Sequence, residues 1–480
     1  MKSRFLLFIL IGLLGLARLA PAEDAPVQQE EAALAITAVR YSDSPEQLRL
    51  VFDLSGPFEY AERASPNLLS LRIKATMSDQ ALAGLEAVKS WMLVDAKATR
   101  TDGATIIELT HVESTFAPRV FDLREPERLV VDFCKLFNWR YEEEVRPGLK
   151  LVRIGRGAPD GPVRAWALVV SHEAKDLSLG ALIADETIWK RRPLDQIARA
   201  AGAYAAINGG YFTWQGPAVG LVYTKGRIVA WHYGNRAAIA QDKAGKFHIG
   251  AYQATGQVVI GDKTLRANGV NSSQVFPGGV TILTPEWGDK TPKVEGGVVF
   301  TAREGKLVAL TKEPAELDLP HEGWAVLMLA EVAKTLPELK PGMKVEITTG
   351  ISPAIKDVVW ALGAGPRLLT EGKSVAAEDR EGFGEAFHMN LHPRTAFGLT
   401  AKGDQVLIVV DGRQPCWSIG INLPNLAKLM KEDLDCLEAV NLDGGGSSAL
   451  YLDGKLVNRP SDGACRAVSN GICLWAPPEE

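Results

Sequence analysis

Leu423-Pro424-Asn425-Leu426-Ala427-Lys428-Leu429-Met430, followed by Ala439-Val440-Asn441-Leu442-Asp443-Gly444-Gly445-Gly446-Ser447-Ser448, decides the fold. Leu423, Leu426 and Leu429 or Met430 recur at helical spacing, so the first segment predicts a helix with one apolar face. The short apolar run Ala439 to Leu442 predicts a strand that stops abruptly on polar residues and glycines. Loops at strand ends are where a rigid scaffold carries function.

The same design occurs earlier in the chain. Leu194, Ile197, Ala198 and Ala201 mark a helix, Ala203 to Ile207 a strand, and Asn208-Gly209-Gly210-Tyr211-Phe212 the loop that ends it. Further apolar strands are expected at Ala165 to Val170 and Val406 to Val410. The region 246–356 reads as β-rich, with turns at Gly261-Asp262, Pro277-Gly278-Gly279 and Pro341-Gly342. Toward the N-terminus, Ile36 to Tyr41, Leu48 to Leu54, Leu68 to Ile73, Ala104 to Leu109 and Arg128 to Phe133 alternate with period two between turn signals, which predicts an antiparallel β unit. The charged run Tyr141 to Gly148 has no apolar periodicity and ends in Pro147-Gly148, so it reads as a linker. The expected fold class is therefore α+β: an N-terminal antiparallel β domain over 33–137, a linker over 138–148, and a β-rich mixed α/β catalytic domain over 149–480.

Residues 1–22 read as a cleaved signal peptide, because Lys2 and Arg4 precede the apolar run Phe5 to Leu16 and Ala20-Pro21-Ala22 supplies a cleavage signal. An extracytoplasmic location is expected. The chain has 480 residues, 46% of them hydrophobic and 23% charged, with a formal net charge of -5. That balance gives no electrostatic support for a nucleic-acid partner or a polybasic membrane patch. Five cysteines (Cys134, Cys416, Cys436, Cys465 and Cys473) are too irregularly spaced for structural zinc. One or two disulfides near the C-terminus and buried free thiols both stay open.

The chemistry-bearing residues cluster in a few loops. Gly444, Gly445 and Gly446 allow a ligand to approach the main chain, while Asn441, Asp443, Ser447 and Ser448 supply donors and acceptors for a sugar or a phosphate. Asn208, Gly209 and Gly210 repeat that pattern beside aromatics. Arg394, in His392-Pro393-Arg394, has the forked geometry for an anion. Asp411, after an apolar strand, is a candidate carboxylate, and Asn458, Ser461 to Gly463 and Arg466 form another polar group. Each also admits a plainer reading: a glycine turn, a β-bulge, a solvated Arg, an Asp-Gly turn.

Taken together, the blocks Asn208 to Phe212, Gly363 to Leu369, Pro393 to Gly398, Val409 to Arg413, Ser418 to Met430, Asn441 to Ser448 and Val457 to Asn470 resemble the phosphodiester glycosidases, relatives of the uncovering enzyme that removes N-acetylglucosamine from a phosphodiester on mannose. Arg49 to Leu54 and Arg128 to Phe133 resemble the AMIN family of envelope-targeting β domains. The first resemblance implies an exported hydrolase that cleaves the sugar C1–O bond of a sugar-1-phosphodiester. Asp443 or Asp411 would serve as nucleophile or base, and Arg394 with Arg466 would carry the phosphate charge. Asn208, Asn441 and Ser447 would orient sugar hydroxyls. The second resemblance implies that the N-terminal domain binds cell-wall or envelope glycan. No cofactor is required, although Asp411 and Asp443 could hold Ca²⁺ or Mg²⁺.

Two other readings compete. A non-catalytic glycan-binding envelope protein would keep the fold without turnover. A zinc amidase would need His and Glu ligands, for which only His388 and His392 are spaced suggestively, beside a Pro393 that disfavours a shared helix.

Overall fold

The computed structural model describes residues 33–114, 116–231, 236–275, 277–378 and 380–477. The segment 1–22, expected to be a signal peptide, and His232 lie outside these residues. The chain is β-rich, with few and short helices.

The N-terminal strands form a five-stranded and a four-stranded sheet that enclose one core. All five strands expected from alternation are present, at Ala35–Asp43, Gln47–Leu54, Leu68–Ile73, Ala104–His111 and Arg128–Cys134. In Gln47–Leu54 every second residue is buried, among them Leu48, Leu50 and Phe52. One face therefore packs and the other meets solvent. Pairing in both sheets is antiparallel except where Ala35–Asp43 meets Thr76–Met77 in parallel. Tyr60–Ser65, Leu93–Thr101 and Arg119–Leu123 were not legible in advance, because they are edge strands with mostly exposed side chains. A helix at Asp79–Glu86, capped by Ser78, was also missed.

The segment read as a linker is a strand. Asn138–Arg146 pairs residue by residue with Leu149–Ala158, as the edge of an eight-stranded sheet. Its charged side chains lie outward and form ion pairs across the ladder, such as Lys150 with Glu142. An exposed edge strand needs no apolar face, which is why hydrophobic patterning missed it. Leu149 then begins the next strand in the order 138–146, 149–158, 161–170, 405–410, 394–400, 436–441, 367–370, 373–374.

The helix Leu423–Glu432 lies against this sheet, its N-terminus capped by Asn422 and its buried face formed by Leu423, Leu426, Ala427, Leu429 and Met430. Each fully buried leucine contributes ~2 kcal/mol. The other predicted helix is Leu194–Ala200, ahead of the strand Ala205–Asn208 in a second, five-stranded sheet. The apolar sides of the two sheets meet in a common core that includes Ile207, Phe397, Leu407, Val440, Leu442 and Ile472. The region 246–356 is β-rich as expected, with Gly261 at the tip of the hairpin that pairs Ile260 with Lys263. All five cysteines are free, so the disulfide alternative does not hold.

Candidate active site

Four strands deliver their ends to one place. Within the eight-stranded sheet, Arg394 stands opposite Val410 and Ala396 opposite Asn441, so Arg394, Asp411 and Leu442-Asp443 leave the sheet on the same edge. Asn208, at the end of Ala205–Asn208, ties the second sheet to them. Its Nδ2 donates to the Asp443 carbonyl at 2.7 Å, and its Oδ1 accepts from Thr395 Oγ1 at 2.7 Å and from Ala449 N at 3.2 Å. With those bonds made and only 1% of its surface exposed, Asn208 is a cross-link between strands. Both bonds to its Oδ1 and one from its Nδ2 are made inside the protein, so here Asn208 holds the strands together at the site that it was expected to line. Gly209 and Gly210 are also packing positions. A side chain there would strike Asn470 Oδ1 or the Gly363 carbonyl, and Gly210 N donates to Asn470 Oδ1 at 2.6 Å.

The glycine loop does approach functional groups. Gly445 has φ +63°, a left-handed conformation that favours glycine. A Cβ at Gly446 would lie 2.1 Å from an Arg466 nitrogen and 2.3 Å from the Asp462 carboxylate, so glycine lets this ion pair close over the loop. Asp443 Oδ1 accepts from Gly444 N at 2.9 Å. Burial raises the Asp443 carboxyl to about 6, against the pull of Ser447, Gly444 N and the Arg466 cation. The Ser448 hydroxyl and the Asn441 Oδ1 are buried without a hydrogen-bond partner, while the buried Ser447 hydroxyl lies close enough to Asp443 to act on its carboxyl.

Asp411 has a different role from the one expected. Its Oδ1 accepts from Asn458 Nδ2 at 2.8 Å, and its Oδ2 accepts from Trp417 Nε1 at 2.7 Å and Arg459 N at 2.9 Å. Three donors fill a buried carboxylate, which leaves it badly placed to attack a substrate or to share a cation with Asp443. Asp411 is a clamp. Through Asn458, which also contacts the Ser448 carbonyl and accepts from Leu450 N, it fixes the far end of the glycine loop. Asn458 thereby joins Asp411 to the glycine loop.

Arg394 is 2% exposed. It donates Nε to the Ile421 carbonyl and Nη2 to the carbonyls of Phe387 and Asn390, and its guanidinium lies 4.9 Å from the Phe387 ring centroid. Burial lowers its pKa to about 10, with Arg413 pushing the same way. Burial and the same two arginines also hold His392 below its usual value. Among the described residues, Arg236, Arg394 and Arg413 form no ion pair. Positive charge without a carboxylate partner is therefore concentrated in this half-buried space, where burial favours its neutralisation by an anion.

Tyr211 is the hub that sequence reasoning left as a generic aromatic. Its hydroxyl donates to the Gly365 carbonyl at 2.6 Å and accepts from Asn441 Nδ2 at 2.8 Å, while Asp443, Arg394 and Arg236 all act on it electrostatically. Asn441, spending its amide on Tyr211, Gly365 and Leu442, positions this hub. Tyr211, Phe383 and Phe387 pack with centroids 4.9 to 6.3 Å apart, and Arg236 covers Phe383 at 4.4 Å. Arg236, Arg413 and Phe383 were missed because they lie in irregular loops, and Phe387 because its helix, Glu385–Met389, is too short to show a periodic apolar pattern. Arg413 alone left a signal, as the residue completing Asp411-Gly412-Arg413. His388 and His392 do not form a metal pair: His388 Nδ1 bonds the Ala376 carbonyl, and His392 faces Arg413. Among the described residues, no three His, Cys, Asp or Glu side chains are grouped to hold a metal ion.

Residues 292–475 match the family model described as phosphodiester glycosidase. The N-acetylglucosamine-1-phosphodiester alpha-N-acetylglucosaminidases of Bos taurus and Homo sapiens are 35% and 34% identical over 133 residues, 26% of this chain in each case. The chain spans only about a quarter of the length of these curated relatives, 24% and 25%. A crystal structure of a hypothetical protein from Synechocystis shares the fold, with TM-score 0.63 and 23% identity over 93% of this chain and 81% of that one.

Proposed function

We propose that this chain is an exported hydrolase that cleaves the C1–O bond of a sugar-1-phosphodiester, with Asp443 as its reacting carboxylate. The observation that carries the reading is the gathering of opposites around one hub: the Asp443 carboxyl, raised to about 6, and the guanidiniums of Arg236 and Arg394 all act on Tyr211, while Arg413 borders the glycine loop at Gly445, and these three arginines have no carboxylate partner among the described residues. The names of the similar cattle and human enzymes support a GlcNAc-1-phosphodiester as substrate class.

In this reading the phosphate sits among the guanidiniums and the sugar lies against Tyr211, Phe383 and Phe387. Ionised Asp443 supports the oxocarbenium-like centre, as nucleophile or as base for water. The phosphomonoester departs as an anion, so electrostatic stabilisation replaces a strong general acid. That accounts for one reacting aspartate rather than two, given the saturated Asp411. The Ser447 hydroxyl beside Asp443 steadies the reacting carboxylate.

Export and envelope targeting by the N-terminal sandwich complete the proposal, supported by the apolar N-terminal run and the AMIN-like strands. The test is turnover of a GlcNAc-1-phosphodiester. Asp443→Asn and Arg394→Lys should fold and lose turnover. Full activity in either would remove that residue from the site, and binding without turnover in the unmodified chain would favour the non-catalytic reading.

A further inference from the structure

A second cavity, about 670 Å³, opens between the N-terminal sandwich and the segment Gln414 to Trp417. The two sides are joined around it: Trp91 Nε1 donates to the Pro159 carbonyl, Arg164 pairs with Glu113, and Cys416 packs against the N-terminal core. Its chemistry is specific. Trp417, stacked on Trp166 with ring centroids 6.1 Å apart, lines the cavity with its indole edge, with Arg164 at 4.2 Å and Arg459 at 5.7 Å from its ring centroid. Arg164 is 5% exposed, with an Nε that has no partner, and exposed Arg459 forms no ion pair among the described residues.

His111 forms part of the opposite wall and is 3% exposed. Its Nδ1 must donate to the Val112 carbonyl, at 3.0 Å, because a carbonyl only accepts. Burial lowers its pKa, so the ring is neutral and Nε2 carries a lone pair. That atom is buried and unpartnered. A buried acceptor without a donor is costly, by about 1 to 3 kcal/mol, and calls for a hydroxyl or amide. A neutral acceptor, the unpaired guanidinium of Arg459 and an Arg164 that shares its charge with Glu113 together match a saccharide carrying an acidic group.

We propose that this cavity binds an acidic glycan, so that the N-terminal sandwich and the catalytic part form one composite site rather than a tether and an enzyme. Trp417 and Arg459 also hold Asp411, so the glycan would lie directly behind the clamp on the glycine loop. The proposal does not rest on the role given to Asp443.

The experiment is calorimetric titration of the full chain with three probes: an oligogalacturonate, an oligomeric glycerol phosphate and a neutral cello-oligosaccharide. One or both acidic probes should bind, the neutral one at least ten-fold more weakly, and the carboxylate and phosphate arms identify the acidic group. Asp443→Asn should bind as the unmodified chain does. Arg459→Glu, on the exposed rim, and His111→Phe, which keeps the ring volume and removes the acceptor, should each weaken binding at least ten-fold. Failure of both acidic probes to bind, or binding indifferent to both substitutions, would overturn the proposal; loss of binding in Asp443→Asn would assign the glycan to the Asp443 site instead.

Discussion

At the scale of single residues, the molecule distinguishes two aspartates that sequence alone treats as equivalent. Burial raises both carboxyls, but Asp443 is held only by Gly444 N and the neighbouring Ser447, whereas Asp411 is tied down by three donors, from Trp417, Asn458 and Arg459. Asp443→Ala should lower turnover about 10³-fold or more. Formate or azide, occupying the vacated volume, should restore part of that loss. Asp411→Ala should lose activity without rescue, since it removes the support of Trp417, Asn458 and Arg459; equal rescue of both variants would contradict the assignment. A second consequence concerns pH. Because the folded-state pKa of Asp443 is raised from 3.8 to about 6, its contribution to stability is fully present below pH 4 and is lost as pH rises through 6. Asp443→Asn should therefore be more stable than the parent at pH 7.5, by about 2 kcal/mol, with the gap closing near pH 4. Thermal melts across that range read it directly. Turnover should show an acidic limb near pH 6, where the carboxylate is protonated.

At the scale of elements, the loops work because strands and cross-links hold them. Asn208 satisfies partners on three segments, so Asn208→Ala leaves Thr395 Oγ1, Ala449 N and the Asp443 carbonyl without it. A loss of about 2 to 4 kcal/mol is expected, together with a fall in turnover, measured by denaturant unfolding and kinetics. Much of this level was legible beforehand. Buried strands such as Gln405–Val410 and the helix Leu423–Glu432 announce themselves because burial imposes apolar pattern. Asn138–Arg146 did not, because an exposed edge strand is specified by its neighbour rather than by its own pattern. For the same reason the loop glycines and Asp443 could be found, but their separate duties could not. Gly445 answers to its φ, Gly446 to the Arg466 and Asp462 pair, and Gly209 to Asn470, and each of these partners is distant in sequence or set by backbone geometry. Arg236 and Phe383 carry no local signal at all: their meaning lies in being brought to Tyr211.

At the scale of the whole molecule, stability rests on packed sheets rather than covalent staples. With five free thiols and Cys436 and Cys473 buried, reductant should leave the melting temperature unchanged. Alkylation of the unfolded, unreduced chain should add five labels, whereas three or fewer would reveal a disulfide. The larger claim joins the edges of two sheets, a ring of guanidiniums and one carboxylate into a site that breaks the sugar-to-oxygen bond and leaves the oxygen–phosphorus bond intact. Hydrolysis of a GlcNAc-1-phosphodiester in ¹⁸O-labelled water reads that choice directly. The account predicts the label on C1 of the released sugar and none in the phosphomonoester; label in the phosphate, or no hydrolysis at all, would contradict it.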